Sequence, residues 1–195
     1  MGLKTKNLDK LLKENYNVFE YKEISTLEEL KEYISNNKLF TIRFDRGRNI
    51  EDLPFYIYSD ELDIESIINE ANKLNCTLLV SNGLVHDKDL LFNFVIEVDK
   101  NNNFILELCD KKIPLRKMYN EKTTTIKGNI FDDYKEYTFI NKRSNKYNSK
   151  QIYKILELTL KNNMRYHYIE GTYYDKKVGM LKEDYIIWQT SNKNK

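Results

Sequence analysis

A predicted β-hairpin is the feature that most constrains how this chain can fold. Residues 90–110 have the sequence LLFNFVIEVDKNNNFILELCD, in which two runs rich in β-branched and aromatic residues flank the turn-forming stretch DKNNN. This pattern predicts two antiparallel strands joined by a short turn, here over residues 91–109. The fold is therefore expected to contain an antiparallel sheet built around these two strands.

The spacing of apolar residues predicts four helices and further strands around the hairpin. The second helix is expected to begin with a capping box formed by Ser25 and Glu28, and the third with Asp63 as its N-cap. Segment 111–148 is polar and basic, so an irregular connection with one strand near residues 137–140 is expected there. The helices are predicted at residues 5–15, 26–36 and 64–74 and from Ser149 to Asn162, and the remaining strands at residues 17–24, 39–44, 76–81, 165–174 and 184–190.

Charge and cysteine usage exclude several classes of protein. The chain has 32 Lys and Arg against 30 Asp and Glu, a net charge of +2, so it lacks the overall positive field of a non-specific nucleic-acid-binding protein. Cys76 and Cys109 lie in separate apolar runs without the spacing of a zinc site or a disulfide framework. The sequence has no signal peptide and no apolar run long enough to span a membrane, and we expect a cytoplasmic protein.

An arginine in the middle of a predicted strand is the first candidate functional residue. The segment KLFTIRFDRGRNIEDLPFY, residues 38–56, alternates so that Arg43 and Asp45 share one face of the strand. An arginine at a strand end can bind phosphate through its planar guanidinium group. The alternative is an ion pair of Arg43 with Asp45, Glu51 or Asp52 on a solvated face.

The N-terminal sequence resembles a nucleotide-binding motif. GLKTKNL is similar to the glycine-glycine-lysine-glycine-x-asparagine-leucine motif that opens the nucleotide-binding domain of phosphoenolpyruvate synthase and pyruvate phosphate dikinase, an ATP-grasp relative. Gly2, Lys4, Asn7 and Leu8 match that motif, whereas Leu3 and Thr5 replace two of its glycines. In the family the lysine binds ATP phosphates, and the resemblance therefore implies this role for Lys4.

The resemblance continues along the chain and implies further site residues. Arg43 aligns with the family's phosphate-binding arginine, and residues 51–54 reproduce the acidic turn that follows it, although the two serines of the family motif are absent. Glu170 is similar to the family's acid that holds Mg²⁺, and Gln189 to the glutamine of its last strand. The resemblance thus implies catalytic roles for Arg43 and Glu170, Mg²⁺ binding by Glu170, and nucleotide contacts by Lys4, Arg43, Glu107 and Gln189.

The fold implied by this resemblance is α+β and ATP-grasp-like. We expect mixed or antiparallel sheets with helices packed on them, arranged in two small lobes. The first lobe is expected over residues 1–75, the second over residues 76–189, and a flexible tail over residues 190–195. ATP and Mg²⁺ are the cofactors that the resemblance implies.

Three functional hypotheses follow. The first is an ATP-binding enzyme for phosphoryl transfer or ATP-dependent ligation on an unknown acceptor, with a protein partner that is or supplies the acceptor. The second is a non-catalytic binding or inhibitory module derived from the same fold, from a mobile element, because glycines and serines of the family motifs are lost. The third is a nucleic-acid-binding protein that uses the basic segment 141–150. His86 is a phosphoryl acceptor, a general base or a surface residue, and His167 is expected to be a core or cross-strand residue.

Overall fold

Two units, each with its own sheet, make up this protein. The first unit comprises Met1–Leu84 and the second Val85–Lys195. No helix in the described part of the chain is long and apolar enough to cross a membrane. The computed structural model describes residues 2–37, 40–47, 53–57, 62–82, 90–110, 123–131, 137–142, 147–160, 167–174 and 185–191.

The first unit combines three helices with a four-stranded antiparallel sheet. Its strand order is β1-β4-β2-β3, so the last strand in the sequence lies between the first two. The helices are α1 (Leu3–Lys13), α2 (Leu27–Asn36) and α3 (Ile64–Lys73), and the strands are β1 (Tyr21–Ile24), β2 (Phe40–Asp45), β3 (Phe55–Ile57) and β4 (Thr77–Asn82).

The core of the first unit lies between this sheet and the helices α2 and α3. Leu30 of α2 and Ile67 of α3 pack in one buried cluster with Ile42 and Phe44 of β2. The predicted Asp63 cap is confirmed, since its carboxylate accepts from the backbone N–H of Ser66 at 3.1 Å. Asp63 thereby satisfies one of the amide groups left free at the start of α3.

The capping box of α2 lies one residue later than predicted. Thr26, not Ser25, is the N-cap, and its hydroxyl accepts from the Glu29 N–H at 3.2 Å. The Glu29 carboxylate accepts in return from the N–H of Thr26 at 3.3 Å. The sequence contains both Ser25-x-x-Glu28 and Thr26-x-x-Glu29, and the apolar stripe facing the core decides between them.

Among its described residues, the second unit contains one helix and a six-stranded antiparallel sheet. The strand order is β10-β9-β5-β6-β7-β8, and the predicted hairpin forms its centre as β5 and β6. The strands are β5 (Leu90–Val98), β6 (Asn103–Asp110), β7 (Thr124–Asn129), β8 (Thr138–Asn141), β9 (Tyr168–Tyr174) and β10 (Tyr185–Ser191), and the helix is α4 (Ser149–Leu160).

One face of this sheet forms the apolar core that α4 covers. Phe92 stacks on Tyr173 with ring centroids 5.0 Å apart, and Tyr147, next to α4, meets the Phe92 ring edge-on at 5.1 Å. Gly171 faces Phe94 on the adjacent strand, and a Cβ at this glycine would lie 2.4 Å from the Phe94 ring. Because strand residues alternate, the opposite face of the sheet carries the intervening side chains.

Two strands differ from their predicted assignment. β7 lies within the segment that was predicted to be irregular. Its sequence did not indicate a strand because threonines and a lysine conceal the alternation in which Thr124 and Ile126 are buried. β4 was expected in the second lobe, but it pairs with β1 and β2 and belongs to the first sheet. The sequence of β4 identifies a strand but carries no information on its partners.

Two element boundaries also differ from the prediction. Thr190 and Ser191, which were expected to belong to the tail, pair with β9. At α4, Asn148 replaces Ser149 as the capping residue, since its side-chain oxygen accepts from the N–H of Gln151 at 3.0 Å. The Gln151 side chain accepts from the Asn148 N–H at 3.1 Å, which completes a reciprocal cap.

Candidate functional site

The N-terminus of α1 is capped by a carboxylate from β2. Asp45 accepts from the N–H of Lys4 at 2.9 Å, and from the N–H and the hydroxyl of Thr5, both at 2.8 Å. Asp45 is only 1% exposed. A negative charge at this position is favoured by the amide groups at the start of the helix and by the helix dipole. The second face of β2 is therefore covered by α1 instead of being solvated.

Gly2 permits this close approach of helix and strand. A Cβ at Gly2 would lie 2.0 Å from the Asp45 carboxyl carbon, so no larger residue fits without displacement of one partner. The Gly2 N–H donates to the Glu23 carboxylate of β1 at 3.0 Å. The matching glycine of the predicted nucleotide motif thus has a packing role at the junction of α1 and the sheet.

Lys4 and Arg43, the predicted phosphate ligands, both lie at this junction. The Lys4 ammonium group donates to the backbone oxygen of Phe44 at 2.8 Å. Arg43 is half-buried in β2, in register with Phe55 of β3 and Leu79 of β4. The acids of the predicted turn, residues 51 and 52, lie outside the described residues.

The other predicted site residues share one row across the second sheet. Glu107 of β6 pairs with Val95 of β5, Val95 pairs with Glu170 of β9, and Glu170 pairs with Gln189 of β10. Directly paired residues in a sheet point to the same face, and adjacent strands are about 4.8 Å apart. Glu107 and Glu170 therefore project from the same face with their Cα atoms about 10 Å apart.

Burial and a neighbouring acid perturb Glu107. Its pKa is raised above the ordinary value, first because the half-buried position disfavours the charged form and second because of the Glu97 carboxylate. Glu97 lies two residues beyond Val95 on β5 and so shares the same face. Three carboxylates, those of Glu97, Glu107 and Glu170, are thus gathered around Val95.

Glu170 is held by a hydrogen bond from its own strand. The Tyr168 hydroxyl donates to one oxygen of the Glu170 carboxylate at 3.0 Å. The Tyr168 ring packs against Val95 and Cys109 on the same face. Neither Glu97 nor Tyr168 was identified from the sequence. Strand alternation could have indicated both, because Glu97 lies two residues from Val95 and Tyr168 lies two residues from Glu170.

A buried polar pair extends this face beyond the carboxylates. The Thr172 hydroxyl donates to the Asn93 side-chain oxygen at 2.8 Å, and both side chains are buried. They are in register on β9 and β5, one alternation step beyond Glu170 and Val95. We call this surface, with Glu97, Glu107, Glu170, Tyr168, Asn93 and Thr172, the acidic sheet face.

The carboxylates of the acidic sheet face suit a Mg²⁺ ion whose other ligands are the phosphate oxygens of a nucleotide. Within the described residues there is no group of three or more His, Cys, Asp or Glu able to enclose a metal ion. Magnesium seldom requires such an enclosure, because it is commonly held by one or two carboxylates together with phosphate oxygens and water. Glu170 and Glu107 supply ligands of this kind.

His167 contacts the backbone of β5 and not the carboxylates of this face. His167 precedes β9, and its Nδ1 lies 3.1 Å from the backbone oxygen of Val98. This contact is the cross-strand position expected for it. His86 lies outside the described residues.

Solved structures similar to this chain are ATP-grasp proteins. D-alanyl-alanine synthetase A from Vibrio cholerae superposes with a TM-score of 0.56 at 10% identity over 97% of this chain and 54% of its own. N5-carboxyaminoimidazole synthetase from Staphylococcus aureus gives 0.54 at 9% identity over 96% and 43%, respectively. A RiPP-associated ATP-grasp ligase from Chryseobacterium gregarium, in complex with ADP and a leader and core peptide, gives 0.51 at 12% identity over 96% and 51%.

The chain has an ATP-grasp-like α+β fold. It spans about half the length of these structures. No protein-family model matches the sequence, and no curated protein matches it. At such low identities the similarity establishes the fold, while the activity has to be argued from the residues of this chain.

Proposed function

We propose that this protein binds ATP with Mg²⁺ on the acidic sheet face and uses it for phosphoryl transfer or ATP-dependent ligation. The observation that carries this proposal is the row Glu107–Val95–Glu170, which places two carboxylates on one face of an ATP-grasp-like sheet, with Gln189 in backbone register with Glu170. The similar structures include proteins in complex with ADP, which supports nucleotide binding by this fold.

Each residue of the row has a defined part in this proposal. Glu170 and Glu107 hold the metal ion, which would neutralise phosphate charge and so favour attack at phosphorus. The amide of Gln189 supplies both a hydrogen-bond donor and an acceptor for nucleotide oxygens and nitrogens. The buried Val95 between the acids excludes water from the base of the site, which strengthens charge interactions above it.

The narrower resemblance to the phosphoenolpyruvate synthase and pyruvate phosphate dikinase type assigns additional roles to Lys4 and Arg43. The resemblance alone gives both cations, which belong to the first unit, a contact with phosphate, and gives Arg43 the stabilisation of charge that develops during transfer. Lys4 would then exchange its bond to the Phe44 oxygen for a phosphate contact. This cost makes Lys4 the weaker of the two assignments.

The acceptor is proposed to be a peptide or protein. The similar ligase from Chryseobacterium gregarium is in complex with a leader and a core peptide, and a macrocyclase from Microcystis aeruginosa is bound with its precursor peptide. A peptide acceptor would supply a carboxylate or hydroxyl group for activation by ATP.

Isothermal titration calorimetry of ATP, with and without Mg²⁺, tests the proposal. Glu170→Gln is expected to weaken Mg²⁺-dependent binding about tenfold or more, because it removes a charged ligand while preserving shape. Glu157→Gln, at an exposed position of α4, is the matched control and should bind like the wild type. Arg43→Ala and Lys4→Met separate the phosphate roles. Absence of wild-type binding at millimolar ATP would refute the assignment.

A non-catalytic module is the second candidate function. It is favoured by the Asp45 carboxylate, which occupies the start of α1 where the resemblance would direct phosphate towards Lys4. Binding of ATP without any turnover in the presence of candidate peptides would support this alternative. Turnover that is lost in Glu170→Gln would exclude it.

A further inference from the structure

We propose that Tyr168 is a positioning residue that aims the Glu170 carboxylate at a divalent cation on the acidic sheet face. This inference rests on the proposed nucleotide and metal site, and it assigns Tyr168 a role that neither sequence pattern nor fold similarity indicates. The Tyr168 hydroxyl donates to Oε2 of Glu170 at 3.0 Å. A carboxylate has about four lone-pair sites on its two oxygens, so one that accepts a hydrogen bond can still bind a cation.

The tyrosine ring is itself held in place. It packs against the buried residues Val95 and Cys109, and its backbone is paired with Glu97 on β5 and Ser191 on β10. Because packing holds the ring, its two side-chain torsions have little freedom. The position of the hydroxyl is therefore fixed as well. Tyr168 therefore supplies a rigid donor next to a flexible acid.

A glutamate on a half-buried sheet face benefits from such a donor when it acts as a ligand. Its side chain has three torsions, and ordering them when the cation binds costs conformational entropy. A hydrogen bond that exists before binding removes part of this cost. Partners that orient metal ligands in this way typically change metal affinity by about 10- to 100-fold when they are removed.

The spacing of the two residues matches this role. Tyr168 and Glu170 are separated by two positions on β9, so they project from the same face about 6.6 Å apart along the strand. Glu107, the other proposed ligand, lies two strands away and receives no such hydrogen bond from Tyr168. Loss of the tyrosine hydroxyl should therefore act on Glu170 and not on Glu107.

Mn²⁺ binding to the full chain tests this assignment. Mn²⁺ substitutes for Mg²⁺ at oxygen ligands, and its binding together with ATP is measured by water-proton relaxation, which is enhanced when the Mn²⁺–ATP complex becomes immobilised on the protein. Tyr168→Phe is expected to weaken Mn²⁺ binding about tenfold while ATP affinity without metal is unchanged. The matched control is Tyr137→Phe, which removes a hydroxyl bonded to Ser149 in the same unit and should leave Mn²⁺ affinity unchanged.

A double variant distinguishes positioning from a general loss of stability. Adding Tyr168→Phe to Glu170→Gln should produce no further loss of Mn²⁺ affinity, because the tyrosine acts through the acid. Urea unfolding should give Tyr168→Phe and Tyr137→Phe similar decreases in midpoint. A Tyr168→Phe protein with wild-type Mn²⁺ affinity, or a further loss in the double variant, would overturn the positioning role.

The same series separates this inference from the proposed function. If Glu170→Gln loses Mn²⁺ binding but Tyr168→Phe retains it, the metal site stands and the positioning role falls. If the wild type binds no Mn²⁺ in the presence of ATP, the proposed function and the positioning role both fail.

Discussion

At neutral pH, the Glu107 carboxylate lies on a half-buried sheet face close to a second carboxylate, Glu97. Both burial and Glu97 raise its pKa, and a raised pKa means that the folded protein binds this proton more tightly than the unfolded chain does. The charge of Glu107 therefore lowers the stability of the folded state at neutral pH. A residue that destabilises the folded state at its own position is typical of a functional site.

Glu107→Gln is expected to stabilise the protein at pH 7. The amide carries no charge to bury, so the free energy of unfolding should rise, by less than about 1 kcal/mol because the side chain is partly solvated. The stability gained by the substitution should shrink as the pH falls from the raised pKa of Glu107 in the folded protein towards the ordinary glutamate value of 4.5. Below that value the wild-type carboxyl group is protonated in both the folded and the unfolded state, and the gain disappears. Urea unfolding at several pH values measures this difference.

The exposed acid Glu157 provides the control for this effect. Glu157→Gln should change stability little at any pH within the same range, because its side chain is solvated on α4. If Glu107→Gln is less stable than the wild type at pH 7, the carboxylate makes a favourable interaction and its proposed cost is wrong.

Among the secondary-structure elements, α1 depends on a single close approach. Gly2→Ala places a Cβ against the Asp45 carboxyl group, which must then leave the amide groups of Lys4 and Thr5. We expect a loss of about 1–2 kcal/mol in the free energy of unfolding, comparable to removal of a helix cap. Hydrogen exchange of the Lys4 and Thr5 amides should accelerate because their acceptor is displaced.

Gly47→Ala is the matched control for the α1 prediction. A Cβ at Gly47 has nothing within 4 Å, so this substitution should change stability by no more than about 0.5 kcal/mol. Equal effects of the two glycine substitutions would show that the approach of Gly2 to Asp45 does not hold α1 in place.

Local chemistry made several elements predictable. The β5–β6 hairpin follows from its DKNNN turn, in which the Asp99 carboxylate accepts from the N–H groups of Asn101 and Asn103, both within 3.0 Å. Asp63 was predicted as a cap for the same kind of reason, a short side chain that accepts a backbone N–H. β7 escaped prediction because polar residues and glycine occupy every position except that of Ile126, and only the buried side of the strand shows the pattern.

The candidate site was less predictable because it depends on strand order. β9 enters the second sheet next to β5, which brings Glu170 into one row with Glu107 although the two residues are far apart in the sequence. No local pattern specifies this pairing, and the residues were selected by resemblance alone. For Asp45, strand alternation predicted the correct face of β2. It could not indicate that α1 covers that face.

For the whole molecule, the balance of charge bears on the nucleic-acid hypothesis. The 32 basic and 30 acidic residues leave little net attraction for a polyanion, and the basic segment 141–150 is one local exception. Binding that depends on this segment would neutralise only a few phosphates. The affinity of such contacts falls steeply as counterions compete at higher salt.

We therefore expect that duplex DNA and single-stranded RNA bind at physiological salt only with dissociation constants above about 10 μM. A value of this size lies within the range of ordinary non-specific contacts. Fluorescence anisotropy with labelled oligonucleotides, repeated at low and physiological salt, measures this. Lys142→Gln with Lys150→Gln should remove any weak low-salt binding, while Lys6→Gln with Lys13→Gln in α1 serves as a charge-matched control. Tight binding with a steep salt dependence, lost in the first pair and retained in the second, would favour a nucleic-acid partner over a nucleotide.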